Sequence, residues 1–366
     1  MLILELVFWL ALAGLAWTHL AYPLAAAALA RLWERGVRRA EIEPTVSVIV
    51  AAHDEEAVIE RRLENLLALD YPRERLEIVV ASDASTDRTH DLVRSFGERG
   101  VRLLACERGG KVAAQDRAVR ETSGDVVALS DANATWAPDA LRQLVRSFAD
   151  PDVAYACGRL VLQDAAGNNK EGAYWRYELW LRESESRLHS VTGGNGSIYA
   201  VRREDYVEVD PRFGHDLAFP YLMVQRGRRA VYDPEALAFE RPTPTVETEY
   251  RRKVRMFEHC WLITLRGSLL RRLPPVYWVE VVSHRLLRYG SGLLHLVLLG
   301  TAAALAALDG GWLWWAALGA QGALLAAAAV GVGIARYYVL VTWATVVSLA
   351  NYLRRGVPAT WEAPAR

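Results

Sequence analysis

The chain has 366 residues, 52% of them hydrophobic, with 43 basic against 43 acidic side chains. That neutrality removes the electrostatic case for nucleic acid, which wants a basic surplus. Three scattered cysteines, Cys106, Cys157 and Cys260, fit neither a disulfide framework nor a zinc site, so buried thiols in a reducing compartment are expected.

The charge is segregated along the chain. Of 86 charged residues only Glu5, Asp309, Arg336, Arg354, Arg355, Glu362 and Arg366 lie outside residues 31–288, a distribution that excludes an ordinary cytosolic enzyme. Residues 1–30 carry Glu5 as their only charge and exceed the roughly 20 apolar residues that a helix needs to cross a bilayer. No basic residue precedes the run, while Arg31, Arg35, Arg38 and Arg39 follow it. Both facts disfavour a cleaved signal peptide, and the positive-inside rule puts the following domain on the cytoplasmic side. Pro23 predicts a kink, which membrane helices tolerate.

The middle of the chain alternates short β-branched runs with helical spacing. Val46–Ala52 is an apolar run too short for a helix, hence a buried parallel strand. A helix is expected over Glu55–Leu69, a strand over Glu77–Ser82, a helix over Thr86–Phe96 and a strand over Val101–Ala105. Lys111–Thr122 follows as a helix, Asp125–Leu129 as a strand and Asp139–Phe148 as a helix. Such alternation makes an α/β doubly wound sheet whose ligands bind at the carboxyl ends of the strands. Those ends read His53-Asp54-Glu55, Asp83-Ala84-Ser85-Thr86-Asp87 and Ser130-Asp131-Ala132-Asn133. Neither a Walker nor a GxGxxG signature occurs, which disfavours phosphate-loop ATPases and dinucleotide dehydrogenases.

Further on, residues 274–288 mix Tyr277, Trp278, Val281, Val282 and Leu286 with His284, Arg285 and Arg288, the pattern of an interfacial amphipathic helix. Between Tyr289 and Ala335 the only charge is Asp309, in an Asp-Gly-Gly turn that splits two spans near 290–308 and 312–332. The last apolar stretch, Tyr337–Leu353, has arginines at both ends and suits either a third C-terminal span or an interfacial lie. The organisation expected is a transmembrane helix over 1–30, a cytoplasmic domain over 43–265, an interfacial helix over 274–288 and a C-terminal membrane region of two or three spans over 289–355.

PTVSVIVAAHDEEAVIERRLENLLALDYP, then VVASDASTDRT, then SDAN resemble the catalytic domain of the membrane-bound family-2 glycosyltransferases, the cellulose- and hyaluronan-synthase-like superfamily. The resemblance implies a GT-A (nucleotide-diphospho-sugar transferase) fold with a doubly wound mixed sheet, flanked by transmembrane helices. It also implies inverting transfer from a nucleotide sugar. Asp83 corresponds to the family's nucleotide-binding aspartate, Glu55 to the glutamate of its Asn-Glu loop, and His53 stands where an aromatic residue lies near the base; a loop histidine without ligand is the plainer reading. Asp87, in its Thr-Asp context, suits a helix cap.

Asp131 matches the first acid of the family's DxD motif, here Asp131-Ala132-Asn133. These two residues would hold Mg2+ or Mn2+, a hard cation with oxygen ligands that neutralises a diphosphate leaving group. By itself the tetrapeptide also suits an Asx turn. Lys111, after Gly109-Gly110 and at a helix start, matches a family lysine near the sugar diphosphate. Gly193, Gly194 and Asn195 resemble the acceptor loop, or form a hairpin turn. Asp216 aligns with the catalytic base, which takes the acceptor hydroxyl proton as that oxygen attacks the anomeric carbon. His215 precedes it where the family has an acid, and is expected to tune the base or bind acceptor.

Processive members carry Gln-x-x-Arg-Trp next; here Arg252 and Met256 hold the Gln and Trp positions and Arg255 is retained. Arg252 and Arg255 would hold the diphosphate, and such a basic cluster equally meets anionic headgroups. The expected protein is a multi-pass, bacterial-type inner-membrane enzyme with its catalytic domain cytoplasmic, using a nucleotide sugar, read as a UDP-sugar, and a glycan or lipid acceptor. Membrane lipids and a biosynthesis or export complex are its expected partners, and nucleic acid is not. A processive synthase and a non-catalytic nucleotide-sugar-binding subunit are the alternatives.

Overall fold

The computed structural model describes residues 1–358 apart from Ala165, Gly167, Lys170, Glu171 and Pro244. Contacts divide the chain into two compact units. One comprises Met1–Arg31, Thr243–Gly267 and Pro275–Val357; the other is built on Leu32–Pro242 with Ser268–Pro274.

The chain starts with α1 (Leu2–Ala16), a π-helical turn (Trp17–Ala21) and α2 (Tyr22–Leu32). Pro23 has no N–H and its ring crowds the carbonyl four residues back, at His19; the wider π turn absorbs both defects. The expected kink thus takes the form of a π turn.

The second unit runs β1 (Val46–Ala52), α3 (Ile59–Leu67), β2 (Leu76–Asp83), α4 (Thr89–Ser95), β3 (Val101–Cys106), α5 (Lys111–Arg120), β4 (Val126–Asp131) and β5 (Thr135–Trp136). It continues with α6 (Ala140–Val145), β6 (Val153–Leu162), α7 (Ala173–Leu188), β7 (Tyr199–Arg202), α8 (His215–Gln225) and β8 (Arg229–Glu240). The strands form one sheet in the order β3-β2-β1-β4-β7-β6-β8-β5. β1 pairs parallel with β2 and β4, and β2 with β3. β7 runs antiparallel to both β4 and β6, while β6 and β8 are parallel.

All seven residues of β1 are buried because helices cover both faces of the sheet. Val48 and Val50 point into a core with Ile59, Leu63 and Leu66 of α3 and Leu141 and Leu144 of α6. Ile49, on the opposite face, meets Ala114 and Ala118 of α5 and Phe219 and Met223 of α8. The three cysteines are free and buried. α3 begins four residues later than its apolar spacing suggests, because Asp54 turns the chain through a positive φ of 54°.

The other unit continues with α9 (Val246–Arg266), α10 (Pro275–Glu280), a π-helical turn (Val281–Leu286), α11 (Leu287–Tyr289), α12 (Ser291–Asp309), α13 (Trp312–Ala329) and α14 (Gly333–Arg355). Among the described residues, four helical segments are long and apolar enough to cross a membrane: Leu2–Leu32, Ser291–Asp309, Trp312–Ala329 and Gly333–Arg355. The last has 23 residues, since Arg336 and the Arg354/Arg355 pair extend the apolar stretch as helix ends rather than terminating it.

Three differences from the sequence reading have physical causes. α9 packs with the membrane helices rather than the sheet: the Trp261 indole donates to the Thr345 carbonyl at 2.9 Å, and Glu258 accepts from Asn351 and Arg355. The sheet unit's boundary therefore falls at Pro242 instead of 265. In the 274–288 segment the polar residues Glu280, Ser283, His284 and Arg288 are buried while Val276, Trp278 and Val279 are exposed. That is inside-out for a water surface and suits apolar surroundings. Finally, β6, β7 and β8 enlarge the four expected strands into a mixed sheet.

Candidate active site

Two of the site loops are strained. Asp54 and Ala84, at the adjacent ends of β1 and β2, are both non-glycine residues at φ 54°, a conformation that costs of order 1–3 kcal/mol and persists only where the surroundings impose it. The Asp54 carboxylate imposes it by accepting the Thr86 N–H at 2.7 Å. Asp87 accepts the N–H groups of Glu56 and Thr89, both at 2.9 Å; burial pushes its carboxyl pKa up, but these bonds outweigh it and hold the pKa below the usual value. It serves the start of α4, as its context suggested. His53 donates from Nδ1 to the Asp83 carbonyl at 2.8 Å, and the buried Glu55 donates its backbone N–H to Thr89 Oγ1 at 2.9 Å.

Asp83 lies at the end of β2 and is only 2% exposed. Its carboxylate accepts the N–H groups of Gly109 at 2.7 Å and Gly110 at 3.0 Å, together with Arg108 Nη1 at 2.8 Å. The side chain expected to grip a nucleoside therefore organises the Arg108-Gly109-Gly110 loop, whose second glycine sits at φ +90°. That loop delivers Lys111 as the first residue of α5, where its ammonium donates to Asp131 Oδ1 at the end of β4. Burial works against the ammonium, but the Asp131 and Asp216 carboxylates, the hydrogen bond and Glu240 outweigh it, so its pKa is raised.

Asn133 follows two residues after Asp131. One carboxylate and one amide carbonyl are hard oxygen donors that suit Mg2+ or Mn2+ when a substrate's phosphates and water complete the shell. Among the described residues no group of three His, Cys, Asp or Glu side chains could hold a metal ion alone, so a cation here would depend on ligand oxygens as well.

Sequence reasoning missed two residues around this pair. Glu240, at the end of β8, accepts from the Ser197 hydroxyl; a carboxylate at a strand end was the available signal, but β8 itself was not recognised. Arg62, on α3, is fully buried. It donates to Ser130 Oγ at 2.8 Å and stands 4.8 Å above the Trp136 ring. Burial pushes its pKa down to about 9 against the pull of Asp131 and Glu240. Ser130 and Trp136 both donate to the Ser197 carbonyl at 2.8 Å, so this layer anchors the glycine loop from beneath.

That loop closes over the Lys111–Asp131 pair. A Cβ on Gly196 would lie 2.9 Å from Lys111 Nζ and 3.0 Å from Asp131 Oδ2. At Gly194 a Cβ would overlap the hydroxyl of the fully buried Tyr155. Gly194 donates its N–H to the Asp216 carbonyl at 2.8 Å, and neighbouring Gly193 is buried. Asn195 is committed inward, donating to the Gly158 carbonyl at 2.7 Å and accepting the N–H groups of Ser197 and Ile198.

Asp216 lies in the first turn of α8 behind Gly214 at φ +71°, where the helix dipole favours a carboxylate. His215 was expected to tune the base or bind acceptor. Its ring is buried, with Nδ1 3.1 Å from Gln115 Oε1 and Nε2 3.0 Å from Asp116 Oδ1. Arg252 and Arg255 lie on α9, in the other unit, with Arg252 paired to Glu249 at 2.9 Å. Within the sheet unit, then, the strand ends bring together a lysine–carboxylate pair, two further carboxylates and a tight glycine loop. These are the groups needed to hold a diphosphate and accept a proton.

Residues 47–209 match the family described as Glycosyl transferase family 2. A beta-monoglucosyldiacylglycerol synthase of Synechocystis sp. is 34% identical over 163 residues, 42% of this chain and 33% of that protein. An N-acetylglucosaminyltransferase of Rhizobium meliloti is 29% identical over 287 residues, 70% of this chain and 67% of that protein. The chain spans about a third to a half of the length of the first curated relatives it matches. A mannosyltransferase from Pyrobaculum calidifontis, solved in complex with GDP-Man and Mn2+, has the same fold, with a TM-score of 0.74 at 24% identity over 95% of this chain and 99% of that one. The expected GT-A fold is the fold observed.

Proposed function

We propose, from the match of residues 47–209 to glycosyl transferase family 2, that the chain transfers a sugar from a nucleotide-sugar donor to a lipid or lipid-linked glycan acceptor, with inversion at the anomeric carbon. The observation that carries this reading is the contact of Lys111 with Asp131 at a strand end, with the Asp216 charge bearing on the same ammonium. A donor-side cation and a candidate base thus share one cluster beneath a glycine loop. The donor is read as a UDP-sugar, with His53 and Glu55 beside the nucleoside, and Asp83 shaping the loop that presents Lys111 to the diphosphate.

Lys111 supplies a compact positive charge for the diphosphate. Asp131 and Asn133 would hold a divalent cation, which when bound neutralises charge developing on the leaving group. Asp216 removes the proton from an acceptor hydroxyl as that oxygen bonds to the anomeric carbon. The bond from that carbon to the diphosphate oxygen breaks, and an α-linked donor yields a β-glycoside and a nucleoside diphosphate. Glycine at 194 and 196 lets the loop backbone lie directly against Tyr155, Lys111 and Asp131.

The four apolar helices support a multi-pass protein of a bacterial-type inner membrane, and Arg31, Arg35, Arg38 and Arg39 support a cytoplasmic sheet unit. The glucosyldiacylglycerol in the Synechocystis relative's name favours a glycolipid product, and Met256 in place of a platform tryptophan favours single transfer over a processive synthase. The test is a screen of nucleotide sugars with the full chain in lipid nanodiscs, reading release of nucleoside diphosphate and product length. Asp216→Asn should lower transfer by roughly 10²- to 10⁴-fold with donor binding retained. Wild-type transfer by that variant would overturn the base assignment, and a ladder of lengthening products would overturn single transfer.

A further inference from the structure

We propose that His215 is a positioning residue: bonded between Asp116 and Gln115, it fastens α8, which carries Asp216, to α5, which carries Lys111. The inference rests on the reading of Asp216 as the base. Both ring nitrogens have a polar partner, the Gln115 side-chain amide at 3.1 Å from Nδ1 and the Asp116 carboxylate at 3.0 Å from Nε2. A carboxylate accepts, so Nε2 donates to Asp116. The same Asp116 oxygen accepts the Tyr206 hydroxyl at 2.6 Å, and the Tyr206 ring stands edge-on to the imidazole with centroids 5.7 Å apart.

The consequence is geometric. Gln115 is four residues beyond Lys111, on the same face of α5. The helix that aims the ammonium at Asp131 is thus the helix that grips His215. The imidazole also stacks on Phe219, with centroids 4.6 Å apart and planes 10° apart, and Phe219 is itself fully buried, so the ring has no space to rotate. On its other side the same turn is tied by the Asp216 carbonyl to the Gly194 N–H at 2.8 Å. Gly214, where a Cβ would stand 3.3 Å from Asp216 Oδ1, keeps the entry tight. The first turn of α8 is held at a side chain and at a carbonyl, which sets the Asp216 carboxylate relative to Lys111 and Asp131. Catalysis responds steeply to such placement, with about 10²-fold lost for a 1 Å displacement.

The test uses the full chain in nanodiscs. His215→Gln keeps a hydrogen-bonding side chain without the ring, and Asp116→Asn weakens the acceptor without altering α8. Each should lower kcat by roughly 10- to 100-fold while donor KM and nucleoside diphosphate binding stay within about twofold. The double variant should be no worse than the worse single. In 15N-histidine NMR the ring resonances assigned to His215 by their loss in His215→Gln should move in Asp116→Asn. Wild-type kcat in His215→Gln would overturn the inference, as would a fall in Tm with turnover per folded molecule unchanged. So would His215 ring resonances that Asp116→Asn leaves unmoved. Asp216→Asn with wild-type transfer would remove the base reading itself, whereas an inactive Asp216→Asn beside a fully active His215→Gln would remove only this inference.

Discussion

Asp83 offers the sharpest contrast between a ligand-binding role and an architectural one. Its carboxylate satisfies the N–H groups of Gly109 and Gly110 and one Arg108 nitrogen at a position only 2% exposed. Asp83→Ala strips all three donors of their acceptor. With each orphaned donor costing about 1–3 kcal/mol, and solvent reaching Arg108, the total is roughly 3–5 kcal/mol. For a unit of about two hundred residues, ~2–4 °C per kcal/mol converts this to a Tm lowered by roughly 6–20 °C. Asp83→Asn keeps one carbonyl oxygen for the glycines but turns an NH2 toward Arg108, so about half that loss is expected. Thermal unfolding of the full chain in detergent, with and without nucleoside diphosphate, measures both effects. An Asp83→Ala variant with wild-type Tm but no nucleotide binding would refute the loop argument and return Asp83 to a purely ligand-binding role.

Gly194→Ala should lower stability by about 1–3 kcal/mol, the usual range for overpacking, because its Cβ meets the Tyr155 hydroxyl. Adding Tyr155→Phe should recover part of that loss, and a wild-type Tm for the single variant would show that the loop has room. His189 provides a pH test. Burial, reinforced by Arg35 and Arg229, lowers its pKa from 6.5 to about 4, so the unfolded chain takes up a proton that the folded chain refuses between those values. Stability is then complete above pH ~6.5 and falls as the pH drops toward 4. Urea unfolding at pH 7.5 and 5 should show His189→Gln losing less stability than the parent; equal losses would assign the acid sensitivity elsewhere.

Much of the architecture is local and therefore legible in the chain. β1, β2 and β4 are nearly uninterrupted apolar runs because helices bury both of their faces, whereas β3 at the sheet edge leaves Arg102 and Ala105 exposed; Asp83 and Asp131 stand at strand ends, where such sheets bind ligands, and Lys111 opens α5. The near absence of charge before residue 31 and after residue 288 marked the membrane helices. Periodicity reports whether a residue is buried, but not what buries it. Arg62 is covered by Ser130 and Trp136 from 68 and 74 positions away. His215 was expected to tune the base or bind acceptor because its neighbour is Asp216, and the partners that hold its ring, Asp116 and Gln115, lie 99 and 100 residues upstream. The same limit hid β8 and with it Glu240, and assigned α9 to the sheet when Trp261 and Glu258 pack against α14. Local sequence determined the strands, their acidic ends and the apolar spans. Only tertiary packing decided which distant helix each polar side chain would be fastened to, since burying a polar or charged group is favourable only where a partner is already in place.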